Sequence, residues 1–175
     1  NIIREYTTIH PGTKGGGMKT IIGDNCLLMV GSHVAHDCIL GNHVIMANNA
    51  TLGGHVVVGD HAIIGGLAAI HQFVRIGHNS IIGGVSAVVQ DVIPFASAAG
   101  DRAKLIGINI TGMKRAQYSH EEIIAVREAY KEIFFGSEDN FYARVEQVLN
   151  NTKSDTVLAI ANFLKNSSIR SICLP

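Results

Sequence analysis

The sequence predicts a mainly β protein: a left-handed parallel β-helix of hexapeptide repeats over residues 1–108, followed by a small C-terminal α-helical domain over residues 109–175. Three observations predict this fold. An aliphatic residue or Met recurs at every sixth position, a Gly or Ala directly follows most of these residues, and the six-residue period ends at Pro94. Beyond residue 118 the apolar residues recur with the period of amphipathic helices.

The six-residue period runs through twelve consecutive frames. Its aliphatic position is occupied by Ile22, Leu28, Val34, Leu40, Met46, Leu52, Val58, Ile64, Ile70, Ile76, Ile82 and Val88. Four residues later every frame has a small or β-branched residue, from Cys26 to Val92. Three short strands per eighteen-residue coil explain this pattern, with the aliphatic side chain inside and a Gly or small residue rounding each corner. Residues n and n+18 then lie on adjacent coils, about 4.8 Å apart.

The first repeats contain one irregularity. Ile3 and Ile9 follow the same period, but thirteen residues rather than twelve separate Ile9 from Ile22. The irregularity falls within residues 14–19, a glycine-rich stretch, so we expect a loop to leave the β-helix there. This loop is either a flexible excursion or a flap over a site on the neighbouring face. The chain begins inside the repeat, so we also expect that further coils precede it in the complete protein.

The end of the chain has the signature of short helices. Residues 95–118 are expected to be irregular. Ser119 and Glu122 form a predicted capping box ahead of an amphipathic segment, Ser137 is predicted to open a second helix, and Ser154 a third. These helices would cover the last coil of the β-helix and hide its edge.

Charge and cysteine content exclude several classes of protein. Fourteen basic and fourteen acidic residues cancel, so no bulk charge favours nucleic acid or an anionic membrane as a partner. No segment approaches the roughly 18 consecutive apolar residues that a membrane span needs, and no signal peptide opens the chain, so we expect a cytoplasmic protein. Cys26, Cys38 and Cys173 are widely spaced, which favours reduced thiols over disulfides.

A histidine followed by an aspartate stands out against this repeat. His36 is at an outward-facing position of its frame, and Gly54 and Gln72 follow it at intervals of eighteen residues. A base would therefore be stacked one coil from an accessible backbone N–H, which is the arrangement that acyl transfer needs. Asp37 can orient the imidazole as the acid of a catalytic triad does. The alternative is a surface His–Asp contact of little energetic value.

The remaining histidines are less distinctive. His33 either faces the same cleft or is an ordinary corner residue, while His55 and His71 lie beside the predicted column. His43 and His61 are eighteen residues apart and should stack as structural surface residues. The HxxH spacing of His33 and His36 does not bring both rings to one side of a strand and corner, so no metal site is predicted. No role is assigned to His10, His78 and His120.

Four segments together carry a family likeness. Residues 33–38, 47–56, 71–73 and 109–115 closely resemble the acyl-[acyl-carrier-protein]:UDP-N-acetylglucosamine O-acyltransferase family, which begins lipid A synthesis in Gram-negative bacteria. The resemblance covers nearly the whole chain, although the family's first coils are missing. The four motifs are specific as a set, whereas the hexapeptide period alone is shared by many transferases.

The resemblance implies a role for each candidate site residue. His36 would be the general base that deprotonates the 3-hydroxyl of the sugar, Asp37 would hold its ring, and the Gly54 N–H would bind the oxyanion. The sugar and acyl pocket would be lined by His33, His55, His71 and Gln72. An ordinary surface position remains the alternative for His33.

Three further residues acquire roles only through the resemblance. Asn109 and Arg115 would contact the uridine diphosphate, although without the resemblance they belong to a polar connector. The family often has an acid in place of Thr111 and a second Arg in place of Ala116, so nucleotide affinity can differ. Gly84 occupies the family's acyl-chain gauge and would admit a longer hydroxyacyl chain, unless it merely rounds a corner.

The resemblance also implies partners and rivals. It implies a homotrimer that uses acyl carrier protein, as its thioester, and UDP-N-acetylglucosamine, with no cofactor. Cations of the helical domain would receive the acidic carrier protein, or are simply solvated. The alternatives are the sister UDP-3-O-acylglucosamine N-acyltransferase, another hexapeptide acyltransferase such as a CoA-dependent one, and an inactive truncated β-helix trimer.

Overall fold

Strands of two residues are the building unit of the fold. The computed structural model describes residues 1–138, 140–166 and 168–175. Within these residues the repeat strands are β1 Ile2–Ile3, β2 Thr8–Ile9, β3 Ile21–Ile22, β4 Leu27–Leu28, β5 His33–Val34, β6 Ile39–Leu40, β7 Ile45–Met46, β8 Thr51–Leu52, β9 Val57–Val58, β10 Ile63–Ile64, β11 Ala69–Ile70, β12 Arg75–Ile76, β13 Ile81–Ile82 and β14 Ala87–Val88. Successive strands wind through three parallel sheets, so the chain forms a parallel β-helix, as predicted.

Each sheet takes every third strand. The first sheet contains β1, β4, β7, β10 and β13, the second contains β2, β5, β8, β11 and β14, and the third contains β3, β6, β9 and β12. Leu27 pairs with Ile45, and His33 pairs with Thr51, which confirms the predicted offset of eighteen residues between coils. Four complete coils are therefore stacked, and a column of residues can be followed from coil to coil.

The interior of the β-helix is filled by two positions of every hexapeptide. The aliphatic residues from Leu28 to Val88 are buried, and so are the small residues four positions later, from Cys26 to Val92. Each large aliphatic side chain buried in this way contributes about 1.5–3 kcal/mol. Cys26 and Cys38 belong to this interior, and both are free thiols, as is the buried Cys173. The three thiols are not paired with one another, and their reduced state stays a prediction.

The corners differ from the prediction in one respect. The residue with left-handed backbone lies three positions after the aliphatic residue, not directly after it: Asn25, Gly31, Asp37, His43, Asn49, His55, His61, Leu67, Phe73, Asn79 and Val85. Asn, Asp and His tolerate this conformation better than most residues, which explains their recurrence there. The glycine directly after the aliphatic residue serves close packing instead. A Cβ at Gly53, for example, would lie 2.7 Å from the Gln72 nitrogen of the next coil.

A loop leaves the β-helix between β2 and β3, as predicted. Thr8 pairs with His33, an offset of twenty-five residues instead of eighteen, so seven residues are inserted rather than one. We call residues 10–20 the insertion loop. Its two ends meet at Gly12, where a Cβ would collide with the backbone of Lys19.

The segment predicted to be irregular, residues 95–118, is largely regular. Strands β15 (Ala96–Ala99) and β16 (Lys104–Ile108) form an antiparallel pair that extends the first sheet beyond β13. Helix α1 (Ile110–Arg115) follows directly. This prediction was wrong because an antiparallel pair lacks the six-residue period by which the earlier strands were identified. The division of the chain at residue 108 into two domains stays a prediction.

Three longer helices end the chain. Helix α2 (His120–Phe135) begins with the predicted capping box of Ser119 and Glu122, and α4 (Asp155–Lys165) follows Ser154 as predicted. Helix α3 (Phe141–Asn151) begins after Asn140 rather than Ser137, because the Asn140 side chain accepts hydrogen bonds from the Tyr142 and Ala143 N–H groups. None of the helices in the described parts of the chain is long and apolar enough to cross a membrane.

A buried ion pair joins the helices to the β-helix. The Arg75 guanidinium donates to Asp91 through Nε at 2.7 Å, and its Nη2 donates to the Phe163 carbonyl oxygen of α4 at 3.3 Å. The guanidinium also lies 4.3 Å from the centre of the Phe163 ring. The C-terminal segment pairs with the same region, because Ile172 forms a parallel bridge with Asp91.

Candidate active site

The corner between the second and third sheets carries the predicted column. The His55 N–H donates to the His36 carbonyl oxygen at 3.0 Å, and the Phe73 N–H donates to the Gly54 carbonyl oxygen at 3.0 Å. His36, Gly54 and Gln72 therefore follow one another on successive coils, which confirms the predicted stacking. The prediction that His36 faces outward is also confirmed, because 36% of its side chain is exposed.

The His36 imidazole is bonded to the neighbouring carboxylate. Its Nδ1 lies 2.8 Å from Asp37 Oδ2, and the Asp37 side chain is only 1% exposed. An ionised carboxylate can only accept, so Nδ1 carries the proton of this hydrogen bond. Nε2 of the neutral ring is then free to accept a proton, which is the state that a general base needs.

The Asp37 carboxylate is held by the insertion loop as well. Thr13 Oγ1 donates to Oδ2 at 2.6 Å, and the Thr13 N–H donates to both oxygens at 2.9 and 3.1 Å. The Thr13 hydroxyl is the foremost reason that the pKa of Asp37 falls to about 2, helped by His36 and opposed by desolvation. The carboxylate therefore stays ionised throughout the physiological pH range.

Gly54 makes room for the imidazole. A Cβ on Gly54 would lie 2.6 Å from His36 Cε1 and 2.7 Å from Nε2, so the ring occupies the space of the missing side chain. The Gly54 N–H donates to no atom of the residues that the structure describes. The residue against which the imidazole packs therefore has a backbone donor without a partner, and an oxyanion site needs such a donor near the base.

His55 lies next to both Asp37 and His36. Its ring stacks on Phe73, with centroids 4.7 Å apart, and meets the His36 ring edge-on at 5.1 Å. His55 Nε2 lies 3.9 Å from Asp37 Oδ2. Phe73 was not selected from the sequence, although its spacing of eighteen residues from His55 was a signal that could have identified it.

These groups also satisfy the spacing of a metal site. Ligand atoms of His36, Asp37 and His55 all lie within 4.8 Å of one another. The Asp37 carboxylate, however, already accepts hydrogen bonds from Thr13 and His36 and is closed to solvent. An ion could bind it only by replacing at least one of these hydrogen bonds, so the donor set suits a hydrogen-bonded base better than a metal. That no metal binds stays a prediction.

His33 lies against the first coil. Its Nδ1 is 2.7 Å from Thr8 Oγ1, and the His10 ring meets it edge-on at 4.7 Å. Burial, followed by the nearby His10, lowers the pKa of His33. The sequence had given no role to His10, because the seven inserted residues hide which residues of the first and second coils are neighbours.

His71 and Gln72 are bonded to the C-terminal segment. Arg170 Nη2 lies 2.7 Å from His71 Nδ1, and Arg170 Nε donates to the Gln72 carbonyl oxygen at 2.9 Å. A guanidinium can only donate, so His71 Nδ1 accepts and its Nε2 carries the ring proton. Nothing in the repeat predicted Arg170, which lies 98 residues beyond Gln72.

Comparisons with known proteins agree with this architecture. Residues 19–54 match the bacterial transferase hexapeptide family, and residues 91–173 match domain 2 of the UDP-N-acetylglucosamine O-acyltransferase family. The UDP-N-acetylglucosamine acyltransferase from Campylobacter jejuni superposes with a TM-score of 0.93 at 40% identity, over 99% of this chain and 67% of that one. The chain belongs to the UDP-N-acetylglucosamine O-acyltransferase family.

Curated members of this acyltransferase family are similar over nearly all of the chain. An acyl-[acyl-carrier-protein]–UDP-N-acetylglucosamine O-acyltransferase from Paracoccus denitrificans is 46% identical over 175 residues, which is 100% of this chain and 66% of that protein. Its namesake from Nautilia profundicola is 48% identical over 167 residues, or 95% of this chain and 64% of that protein. The chain therefore spans just under two thirds of these relatives.

The other residues assigned through the acyltransferase family lie at other corners. Gly84 is exposed at the corner between the first and second sheets, where an added Cβ would lie 3.2 Å from the Gly66 carbonyl oxygen. Arg115 is exposed and lines a cleft of about 430 Å³ at the corner between the third and first sheets. One chain therefore distributes the predicted site over three corners.

Asn109 has a structural task beside that cleft. Its side-chain oxygen accepts from the Gly112 N–H at 2.9 Å and caps α1, while its amide nitrogen donates to the Asn79 carbonyl oxygen at 2.9 Å. The side chain is buried. Its contact with a nucleotide stays a prediction, as do the ligand contacts of the other assigned residues.

Proposed function

We propose that the protein transfers a 3-hydroxyacyl chain from acyl carrier protein to the 3-hydroxyl of UDP-N-acetylglucosamine, the first step of lipid A biosynthesis. One observation carries the proposal: the His36–Asp37 pair packs against Gly54, whose N–H has no partner among the described residues. The names of relatives that are 46% and 48% identical support the choice of substrates.

The reaction follows from these groups. His36 Nε2 accepts the proton of the sugar 3-hydroxyl while that oxygen attacks the thioester carbonyl carbon and forms the new C–O bond. The Gly54 N–H stabilises the negative charge on the carbonyl oxygen of the tetrahedral intermediate, and Asp37 stabilises the imidazolium. Collapse of the intermediate breaks the C–S bond, and His36 returns its proton to the sulfur. The acyl group arrives activated, so no cofactor is needed.

The active form proposed is a homotrimer. The candidate site residues occupy three corners of one β-helix, so Gly84 and Arg115 can meet His36 only across a contact between chains. The third sheet supplies a surface for this contact, because Ile21, Ile39 and Val57 form an exposed apolar column on its outer face. Exposed apolar columns of this kind favour lateral association.

The proposal also names acyl carrier protein as the acyl donor and the cytoplasm as the location of the protein. Basic residues of the helical segment suit an acidic carrier protein: Lys114, Arg115, Arg127, Lys131 and Arg144. The free thiols of Cys26, Cys38 and Cys173 suit a reducing compartment such as the cytoplasm.

The test supplies purified protein with 3-hydroxyacyl carrier protein and UDP-N-acetylglucosamine, and identifies the product by mass spectrometry. We expect the 3-O-acyl ester, and we expect His36→Ala to lower turnover by about 10²–10⁴-fold, the usual contribution of a general base. His120→Ala, on the exposed start of α2, is the matched control.

Three outcomes would contradict the proposal. Full turnover by His36→Ala would show that His36 is not the general base. Acylation of an amino-sugar acceptor alone, or from acyl-CoA alone, would indicate the sister N-acyltransferase or another hexapeptide acyltransferase. The absence of any product from a folded, trimeric protein would indicate an inactive trimer.

A further inference from the structure

The insertion loop is the one interruption of the repeat strands, and it folds onto the buried acid of the candidate site. Thr13 contributes its hydroxyl and its backbone N–H to Asp37, while the Asp37 N–H donates to Thr20 Oγ1 at 2.9 Å. Both ends of the loop are thus bonded to Asp37. Thr13 lies twenty-four positions before Asp37 in the sequence, and Thr20 lies seventeen positions before it.

We propose that Thr13 is a positioning residue of the acyl-transfer reaction, which fixes Asp37 so that Asp37 fixes the His36 ring. The insertion loop then completes a relay from Thr13 through Asp37 to His36. This inference rests on the proposed function, because it assigns a further residue to the same site.

The geometry leaves the carboxylate little freedom. Oδ2 accepts from Thr13 Oγ1 at 2.6 Å and from His36 Nδ1 at 2.8 Å, and Oδ1 accepts from the Thr13 N–H at 2.9 Å. Rotation of the carboxyl group would break at least two of these bonds at once. His55, 3.9 Å from Oδ2, is the other titratable group that faces it.

The loop is built to bring Thr13 to this position. The N–H groups of Gly16 and Met18 both donate to the Thr13 carbonyl oxygen at 3.0 Å, so the loop turns back on Thr13. Gly16 then lies directly on the carboxyl group, because a Cβ at that position would collide with the Asp37 side chain. Gly16 therefore serves close packing on the acid, and this favours the flap over the flexible excursion.

Loss of the hydroxyl should act on Asp37 first. The Thr13 hydroxyl is the strongest contribution to the lowered pKa of Asp37, and desolvation opposes it. Without that hydroxyl the buried carboxylate keeps its bonds to the Thr13 N–H and to His36 but becomes easier to rotate and to protonate. A carboxyl group that rotates or is protonated selects the Nδ1–H tautomer of His36 less strongly.

The experiment compares Thr13→Val, which keeps the shape and the backbone N–H, with Thr13→Ser, which restores a hydroxyl. Turnover is measured with the two substrates, and the His36 tautomer is measured by ¹⁵N NMR of the neutral imidazole. We expect Thr13→Val to lower kcat by about 10–100-fold, by analogy with the loss of outer hydrogen-bond partners at metal sites, with little change in KM. The Nδ1–H population should fall in parallel, and Thr13→Ser should restore both.

Gly16→Ala gives a second probe if Thr13→Val does not fold. The added methyl should displace the loop from Asp37 and lower kcat in the same way, whereas Gly15→Ala, with no atom within 4 Å of the new methyl, should behave as the wild type. The inference is overturned if Thr13→Val keeps both kcat and the tautomer ratio within twofold of the wild type. The tautomer measurement needs no substrate, so it remains decisive even if the proposed reaction is wrong.

Discussion

At Gly54 the absence of a side chain is the feature that the site uses. The His36 ring fills the volume where a Cβ would stand, and the Gly54 N–H beside it has no partner among the described residues. Glycine is required here for close approach, since Gly54 is not one of the residues with left-handed backbone. The base and the oxyanion donor are therefore brought together by one steric relation between two neighbouring coils.

Gly54→Ala should separate the two groups. The methyl would lie 2.6 Å from His36 Cε1, so the ring must move away from the Gly54 N–H. We expect kcat/KM to fall by about 10²–10³-fold, as when an oxyanion donor is lost, while the cooperative unfolding transition is retained. Steady-state kinetics and thermal unfolding measure both quantities. The same change at Gly15, which has open space around it, should leave activity unchanged. Normal activity of Gly54→Ala would exclude the proposed oxyanion site.

Two partly buried histidines, His33 and His78, should make folding sensitive to mild acid. Burial is the main reason that the pKa values of His33 and His78 lie below their usual 6.5. Below about pH 6.5 the unfolded chain takes up protons more readily than the folded one, so stability is complete above that pH and decreases as the pH falls. His78→Gln should therefore weaken the pH dependence.

Urea denaturation at about pH 7.5 and pH 5.5 measures this difference. His78→Gln should lose less stability between the two pH values than the wild type, whereas His120→Gln, at an exposed position on α2, should lose as much as the wild type. An unchanged pH dependence in His78→Gln would show that this ring does not link protons to folding.

Much of the site was predictable residue by residue, and the exceptions have a physical reason. His36, Gly54 and Gln72 could be aligned because the repeat fixes their spacing at eighteen residues. Thr13 could not be aligned with Asp37 in this way, because it lies in the insertion loop, where the eighteen-residue spacing no longer holds. Arg170 reaches His71 from the end of the chain, and no local period relates such distant segments.

At the scale of elements, period decides what can be predicted. The strands from β3 to β14 were predictable because each must supply one interior aliphatic residue every sixth position. Strands β15 and β16 pair in an antiparallel manner and escape that rule. The start of α3 was misplaced because Ser137 and Asn140 are both good N-cap residues, and only the structure shows which side chain bonds to the helix.

The junction between the β-helix and the helices depends on Arg75. Asp91 is fully buried, and Arg75 is its charged partner, with its guanidinium also bonded to α4 through Phe163. Arg75→Met should leave the Asp91 charge buried and unpaired, which costs about 3–5 kcal/mol. Chemical denaturation monitored by circular dichroism measures this loss.

The matched control is Lys165→Met, which removes a cation from the exposed pair with Glu146. Exposed pairs contribute little, so its unfolding midpoint should stay close to that of the wild type. Equal destabilisation by the two variants would mean that burial of the Arg75–Asp91 pair is not what joins the two parts.

At the scale of the whole molecule, the three corners of the β-helix have different contents. The corner after the second sheet has the base and its acid, the corner after the third has the cleft of Arg115, and the corner after the first has Gly84. A single chain cannot bring three corners of one prism together. Three chains related by a three-fold axis can, because each contact then joins different faces of two neighbours.

Ile39→Glu should therefore abolish both assembly and activity. Ile39 is exposed in the middle of the apolar column of the third sheet, and a carboxylate there would be buried without a partner in a contact between chains. Analytical ultracentrifugation should show a trimer for the wild type and a monomer for the variant, whose circular dichroism stays that of a β-helix. Ile124→Glu, an exposed position on α2, should remain trimeric and active. If Ile39→Glu sediments as the wild type does, the third sheet is not the contact surface; if it is monomeric and fully active, one chain holds the complete site.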